Sequence, residues 1–182
     1  MDSQTPSVQD RILIAAVQVV GETGAGHLTL DRVAASAGVS KGGLLYHFSN
    51  KRALIEGMIA RVLADFQHKV AGKISQMDNT ANQTLKASIQ VLSEQTAAEK
   101  SQLRALLAAA AENPGLLEPA RNYLQEQFNA IRGESGEPDA ALIILLAVEG
   151  IRFMELFDLL PLGSTEVEQM LGKLWDMSVN IK

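Results

Sequence analysis

Between Leu28 and Leu44 one helix-starting device occurs twice. Leu28 and Val33 bracket Thr29 at the spacing of a hydrophobic staple around an N-cap, and Val39 and Leu44 bracket Ser40 in the same way. Gly38 stands between them, suited to the left-handed position that ends a helix. The pattern predicts a helix from Thr29 to Ala37, a tight turn, and a short helix from Lys41 to Phe48. Two helices joined by a short Gly-containing turn form a helix-turn-helix.

The rest of the chain has almost no period-2 alternation and many helical faces, so the fold class expected is all-α. A first helix runs from about Val8 to Glu22, with Ile12, Ala15, Ala16 and Val19 on one face. Asn50 caps a long fourth helix, about Lys51 to Met77. Further helices are expected at about Ala81–Glu99, Ser101–Glu112, Leu117–Arg132 and Pro138–Leu159, the last stopped by Pro161. Thr165 and Glu168 have capping-box spacing for a final helix reaching about Asn180. The Gly21, Gly24 and Gly26 cluster lacks a GK[ST] ending and follows a helix, which sets a phosphate loop aside.

Hydrophobic residues make up 47% of the 182, which excludes a disordered chain. There is no cysteine, so disulfides and thiolate metal sites are excluded, and a reducing, cytoplasmic setting is expected. The N-terminal stretch MDSQTPSVQDR has no basic-then-apolar pattern, and no signal peptide is expected. The run from Ala140 to Leu160 approaches membrane-span length, but Glu149, Arg152, Glu155 and Asp158 interrupt it, which fits a buried helix of a globular domain.

The net charge of −5 taken alone argues against nucleic acid. The charge is unevenly spread. After Asp31 no acid occurs until Glu56, while Arg32, Lys41, Lys51 and Arg52 fall between them. The helix-turn-helix lies in this basic stretch. Gly42 and Gly43 each cost its second helix roughly 1 kcal/mol relative to alanine. Two readings account for them: close packing in an ordinary helical hairpin, or backbone bared to approach DNA. In the second reading Lys41 supplies charge, and Tyr46 and His47 supply donors for phosphate or base edges. Leu44 and Phe48, four apart, hold the helix inward.

Residues Thr29 to Leu54, TLDRVAASAGVSKGGLLYHFSNKRAL, resemble the N-terminal signature of the TetR family of bacterial transcriptional regulators. The matching elements are the Thr-x-x-x-Val/Ala-Ala opening, AGVSKG, YHF and the following Asn-Lys-x-x-Leu. The resemblance covers roughly the first 65 residues. It implies a three-helix DNA-binding domain at 1–50, a fourth helix linking onward to about residue 66, and an effector-binding and dimerisation domain at 51–182. It also implies a homodimer on a near-palindromic operator. Thr29 would contact phosphate, Ser40, Lys41, Gly42 and Gly43 would lie against the groove, Tyr46 and His47 would reach backbone or bases, and Lys51 would grip phosphate. Leu45 departs from the family, which often has an aromatic there; it offers an apolar contact to a thymine methyl instead.

The signature does not extend past Met77. By position, the last two helices are expected to pair with a second copy, with Ile144, Val148, Ile151, Leu171, Leu174 and Trp175 at the interface. Phe66, Leu103, Leu107, Tyr123, Phe128, Phe153, Met154 and Phe157 are the large side chains expected around a small apolar or amphipathic effector. His27, His47 and His68 form no i, i+4 pair, so neither a metal nor another cofactor is expected. The function expected is a ligand-responsive repressor without enzymatic activity. The alternative is a helix-turn-helix module that binds protein rather than DNA.

Overall fold

The computed structural model describes residues 6–78, 81–111 and 113–181. Among these residues the regular structure is helical: α1 (Val8–Thr23), α2 (Leu30–Ala37), α3 (Lys41–His47), α4 (Lys51–Ile74), α5 (Gln83–Ser93), α6 (Ala97–Ala111), α7 (Glu118–Glu134), α8 (Pro138–Leu156) and α9 (Ser164–Asn180). Single 3-10 turns occur at Ala25–His27 and Pro114–Leu117. No described helix is long and apolar enough to cross a membrane.

Packing divides the chain into two compact units. One holds the residues up to Leu63 together with Ala97–Ala120; the other holds 64–96 and 121 onward. The functional boundary expected after residue 50 is a different division, because α6 packs on α1 and on the Ala25–His27 turn and so joins the first unit.

In the first unit the caps read from the sequence are in place. Thr29 Oγ1 accepts from the Arg32 N–H at 3.3 Å, and Ser40 Oγ accepts from the Gly43 N–H at 3.0 Å. Asn50 Oδ1 accepts from the Ala53 N–H at 2.9 Å. Both staple pairs are closed inside, with Leu28, Val33 and Leu44 buried and Val39 packed against the same core. Gly38 has φ +65°, and its N–H returns to carbonyls of α2. Arg11 reaches over from α1 and donates to the Ala37 carbonyl at 2.8 Å, covering the C-terminal end of α2. A second tie joins Arg61 of α4 to Asp10 of α1 at 2.8 Å. Ile12, Ala16, Val33, Leu44, Leu54 and Met58 form the centre of this core. Burying a side chain such as Leu44 contributes about 2–3 kcal/mol.

The second unit is built around α5 and α8, where Leu85, Ile89, Ile144, Leu145 and Val148 interlock. The start of α5 is capped from outside. Glu134 of α7 accepts from the Thr84 N–H at 2.8 Å and the Thr84 hydroxyl at 2.6 Å. Ser88 and Gln127 add a buried hydrogen bond at 2.8 Å between α5 and α7.

Several helix boundaries differ from those expected; α4, for one, ends at Ile74 rather than Met77. The break placed after Glu99 falls at Glu94–Thr96, because the polar run after Leu92 ends the buried face of α5. The expected end of α6, Glu112, lies outside the described residues. Helix α8 stops at Leu156 rather than Leu159, where Asp158 turns left-handed at φ +52° and the Leu159 N–H bonds back to Met154. The capping box of α9 is also displaced: Gly163 is the cap, and its N–H donates to Glu166 Oε2 at 2.9 Å, so Thr165 and Glu168 lie inside the helix.

Candidate functional site

Helix α3 is held by its inner face and bare on its outer one. Leu44 and Phe48 are buried in the core of the first unit, one turn apart. Between and around them Lys41, Gly42, Leu45, Tyr46 and His47 are exposed. Tyr46 is 86% exposed, and its ring stands at right angles to that of His47, centroid to centroid 5.2 Å. An aromatic residue left this open offers apolar surface and a hydroxyl to something outside the chain.

The two glycines differ in their surroundings within the chain. A Cβ added at Gly42 would meet only the Ser40 hydroxyl, at 3.9 Å. At Gly43 it would meet that same hydroxyl at 3.3 Å and the Val39 Cβ at 4.0 Å. Neither glycine has a positive φ. Among the described residues no packing contact requires bare backbone at Gly42.

Thr29, Ser40 and Lys51 are exposed as well. Thr29 and Ser40 act as acceptors in their caps, which leaves each hydroxyl hydrogen able to point outward. Lys51 opens α4. Lys41 is engaged: its ammonium donates to Asp31 Oδ2 at 3.0 Å.

The side chains expected around an effector do not form one group. Phe66, Tyr123 and Phe128 belong to the second unit, where Phe66 and Tyr123 meet edge to face at 5.9 Å. Leu103 and Leu107 belong to the first unit instead, because α6 packs there. Phe153 and Met154 lie on the exposed side of α8, and half-buried Phe157 pairs with Phe153 at 4.8 Å.

Beside Tyr123 lies a polar cluster that the sequence reading did not place. Arg152, only 9% exposed, donates to Glu149 at 3.2 Å and to Gln95 in the turn after α5. Its Nε is buried without a hydrogen-bond partner. Burial raises the Glu149 carboxyl above the usual carboxylate range despite the guanidinium next to it, and burial together with Glu149 raises the Tyr123 phenol. A buried charged group with perturbed neighbours marks a candidate ligand site. The signal available in the sequence was the i, i+3 pair Glu149 and Arg152 inside an apolar helix.

The residues expected at a subunit interface divide in the same way. Ile144, Val148 and Ile151 point into the interior of their own chain, and Leu171, Leu174 and Trp175 are partly buried against that core. The apolar side chains left open on α8 are one residue out of phase: Ile143 at 65%, Leu146 at 55%, and Phe153 further along. Met170 and Met177 are open on α9.

Two family descriptions match the chain. The family described as "Bacterial regulatory proteins, tetR family" matches residues 12–58, and the family described as "Tetracyclin repressor-like, C-terminal domain" matches 82–178. Among solved structures, a TetR-family member from Streptomyces coelicolor A3 is 25% identical, with 93% of this chain and 98% of that chain covered and a TM-score of 0.72. A transcriptional regulator from Rhodococcus sp. Rha1 is 22% identical, with 96% of each chain covered and a TM-score of 0.70. The multidrug binding protein EbrR, solved with ethidium, is 23% identical, with 92% of this chain and 98% of that one covered and a TM-score of 0.70.

Proposed function

The chain belongs to the TetR family of DNA-binding transcriptional regulators, and we propose that it is a repressor released from a near-palindromic operator by a small apolar or amphipathic effector. The observation that carries the DNA reading is the outer face of α3. It is held in place by Leu44 and Phe48, bare at Gly42, and lined by Lys41, Leu45, Tyr46 and His47. Phosphate contacts from Thr29, Ser40, Lys51 and the Gly42 amide position the helix, and side chains in the groove read sequence. Residues 1–50 form the reading head and 51–182 the part that answers to the effector. The setting is cytoplasmic, where the operator is.

The effector is proposed to lie in the second unit, against Phe66, Tyr123 and the buried Glu149–Arg152 pair. Apolar walls with a few fixed polar groups are what a small-molecule site needs. That EbrR is a multidrug binding protein solved with ethidium supports a small organic ligand in a fold of this kind. Release follows if the effector binds the state unable to grip DNA more tightly, and the loss of DNA affinity equals that difference. The open side chains Ile143, Leu146 and Phe153 on α8, with Met170 and Met177 on α9, support a homodimer through these two helices. Two heads must lie one helical turn apart, roughly 34–36 Å, or a multiple of it, to read one face of a duplex.

Selection of duplexes from a random pool, followed by a salt titration of the enriched sequence, tests this reading. A near-palindrome bound with steep salt dependence is the expected outcome. Absence of enrichment at low salt, both before and after unfolding and refolding to strip bound effector, overturns it.

A further inference from the structure

We propose that Asp31 restrains Lys41 and thereby weakens the hold of this helix-turn-helix on every DNA duplex; the inference rests on the DNA reading above. The Lys41 ammonium donates to Asp31 Oδ2 at 3.0 Å, joining the first residue of α3 to the first turn of α2. Both side chains are exposed. From Thr29 to Lys51, the whole span of proposed DNA contacts, Asp31 is the only acid. It stands two residues from the Thr29 cap and is bonded to the first lysine of that span.

A carboxylate oxygen occupies the place beside the ammonium that a phosphate oxygen takes in a complex. DNA therefore has to displace Asp31 before Lys41 can pair with it. This competition does not depend on base sequence, so operator and unrelated duplexes are penalised alike. The consequence is a regulator that spends less of its time on non-operator DNA, where the electrostatic term is most of the binding.

The test compares the full-length protein with Asp31→Asn on the selected operator and on an unrelated duplex of equal length, across a salt series. The variant is expected to bind both duplexes about three- to fivefold more tightly, with the gain shrinking as salt rises. Asp31→Ser, which keeps a short polar side chain in the first turn of α2, must behave the same way. In a Lys41→Met background the gain from Asp31→Asn is expected to fall below about twofold. Wild-type binding with no gain in either Asp31 variant overturns the inference alone. A gain that persists in full without Lys41 overturns it too, because Asp31 then acts as a general charge. Failure of wild type and variants alike to bind any duplex at low salt overturns the regulator reading, and the inference with it.

Discussion

A Cβ placed on Gly57 would lie 2.7 Å from Cε1 of Phe48 and 3.1 Å from Cδ2 of Leu13. The ring that anchors the end of α3 is thus seated in a notch that only glycine leaves in α4. Gly57→Ala is expected to destabilise the protein by about 1–2 kcal/mol, since overpacking outweighs the gain in helix propensity. Gly72, in the same helix, has nothing within 4 Å of an added Cβ. Gly72→Ala is expected to stabilise by about 0.5–1 kcal/mol. Thermal unfolding of both variants checks the contrast, and equal effects would refute the notch.

Gly42→Ala should separate folding from binding. The added methyl has room in the free protein, so stability rises by up to about 1 kcal/mol. The same methyl obstructs the approach of α3 to the groove, so operator affinity falls. A variant that is both more stable and undiminished in binding would remove the functional reason for the glycine.

Lys51→Ala is expected to weaken binding nearly equally on all duplexes and to reduce the slope of log K against log salt by about one. A loss confined to one operator position would assign Lys51 to base reading instead.

Glu149 gives the second unit a defined pH response. Burial raises its folded pKa above the ordinary 4.5, so the folded state holds this proton more tightly than the unfolded chain does. Its contribution is fully present below 4.5 and is lost as pH climbs through the raised folded value. Asp10 works in the opposite sense: the Ser7 hydroxyl foremost, with Arg61, holds its pKa below the ordinary 3.8, so its contribution is lost as pH falls. The wild-type minus Glu149→Gln difference in stability should therefore decline with rising pH above 4.5. A flat difference curve in denaturant titrations across that range would contradict the burial argument.

Leu146→Glu places a charge on an open site of α8 and is expected to dissociate the proposed homodimer while leaving helicity intact. Sedimentation together with circular dichroism distinguishes this from unfolding. A variant that sediments like the wild type would move the interface elsewhere.

What could be read from the chain depended on how local the cause was. Thr29, Gly38, Ser40 and Asn50 act within four residues of themselves, and the helix-turn-helix they frame was legible in outline and detail. The stretch from Ala81 to Ala111 has no comparable punctuation, and the break between α5 and α6 was placed several residues late. Helix α8 shows a different difficulty. It is apolar on nearly every side, so Ile143 and Ile144 are indistinguishable by pattern, although one is open and the other closed. Leu103 and Leu107 look like companions of Phe66 and Tyr123 in the sequence, because chain order says nothing of which unit α6 joins. Glu149 and Arg152 were visible as interruptions of an apolar run, but their meeting with Gln95 and Tyr123 spans three helices.

Arg11 closes the C-terminal end of α2 from a neighbouring helix, and the turn that follows is fixed by the left-handed Gly38. The reading head is therefore assembled before any duplex arrives. Little chain ordering is left to offset the gains of contact, so complex formation by this head should show a small heat-capacity change and little entropic loss from the protein. A calorimetric trace of that form belongs to docking of a finished surface, in contrast to the large negative heat capacity of a segment that folds on its target.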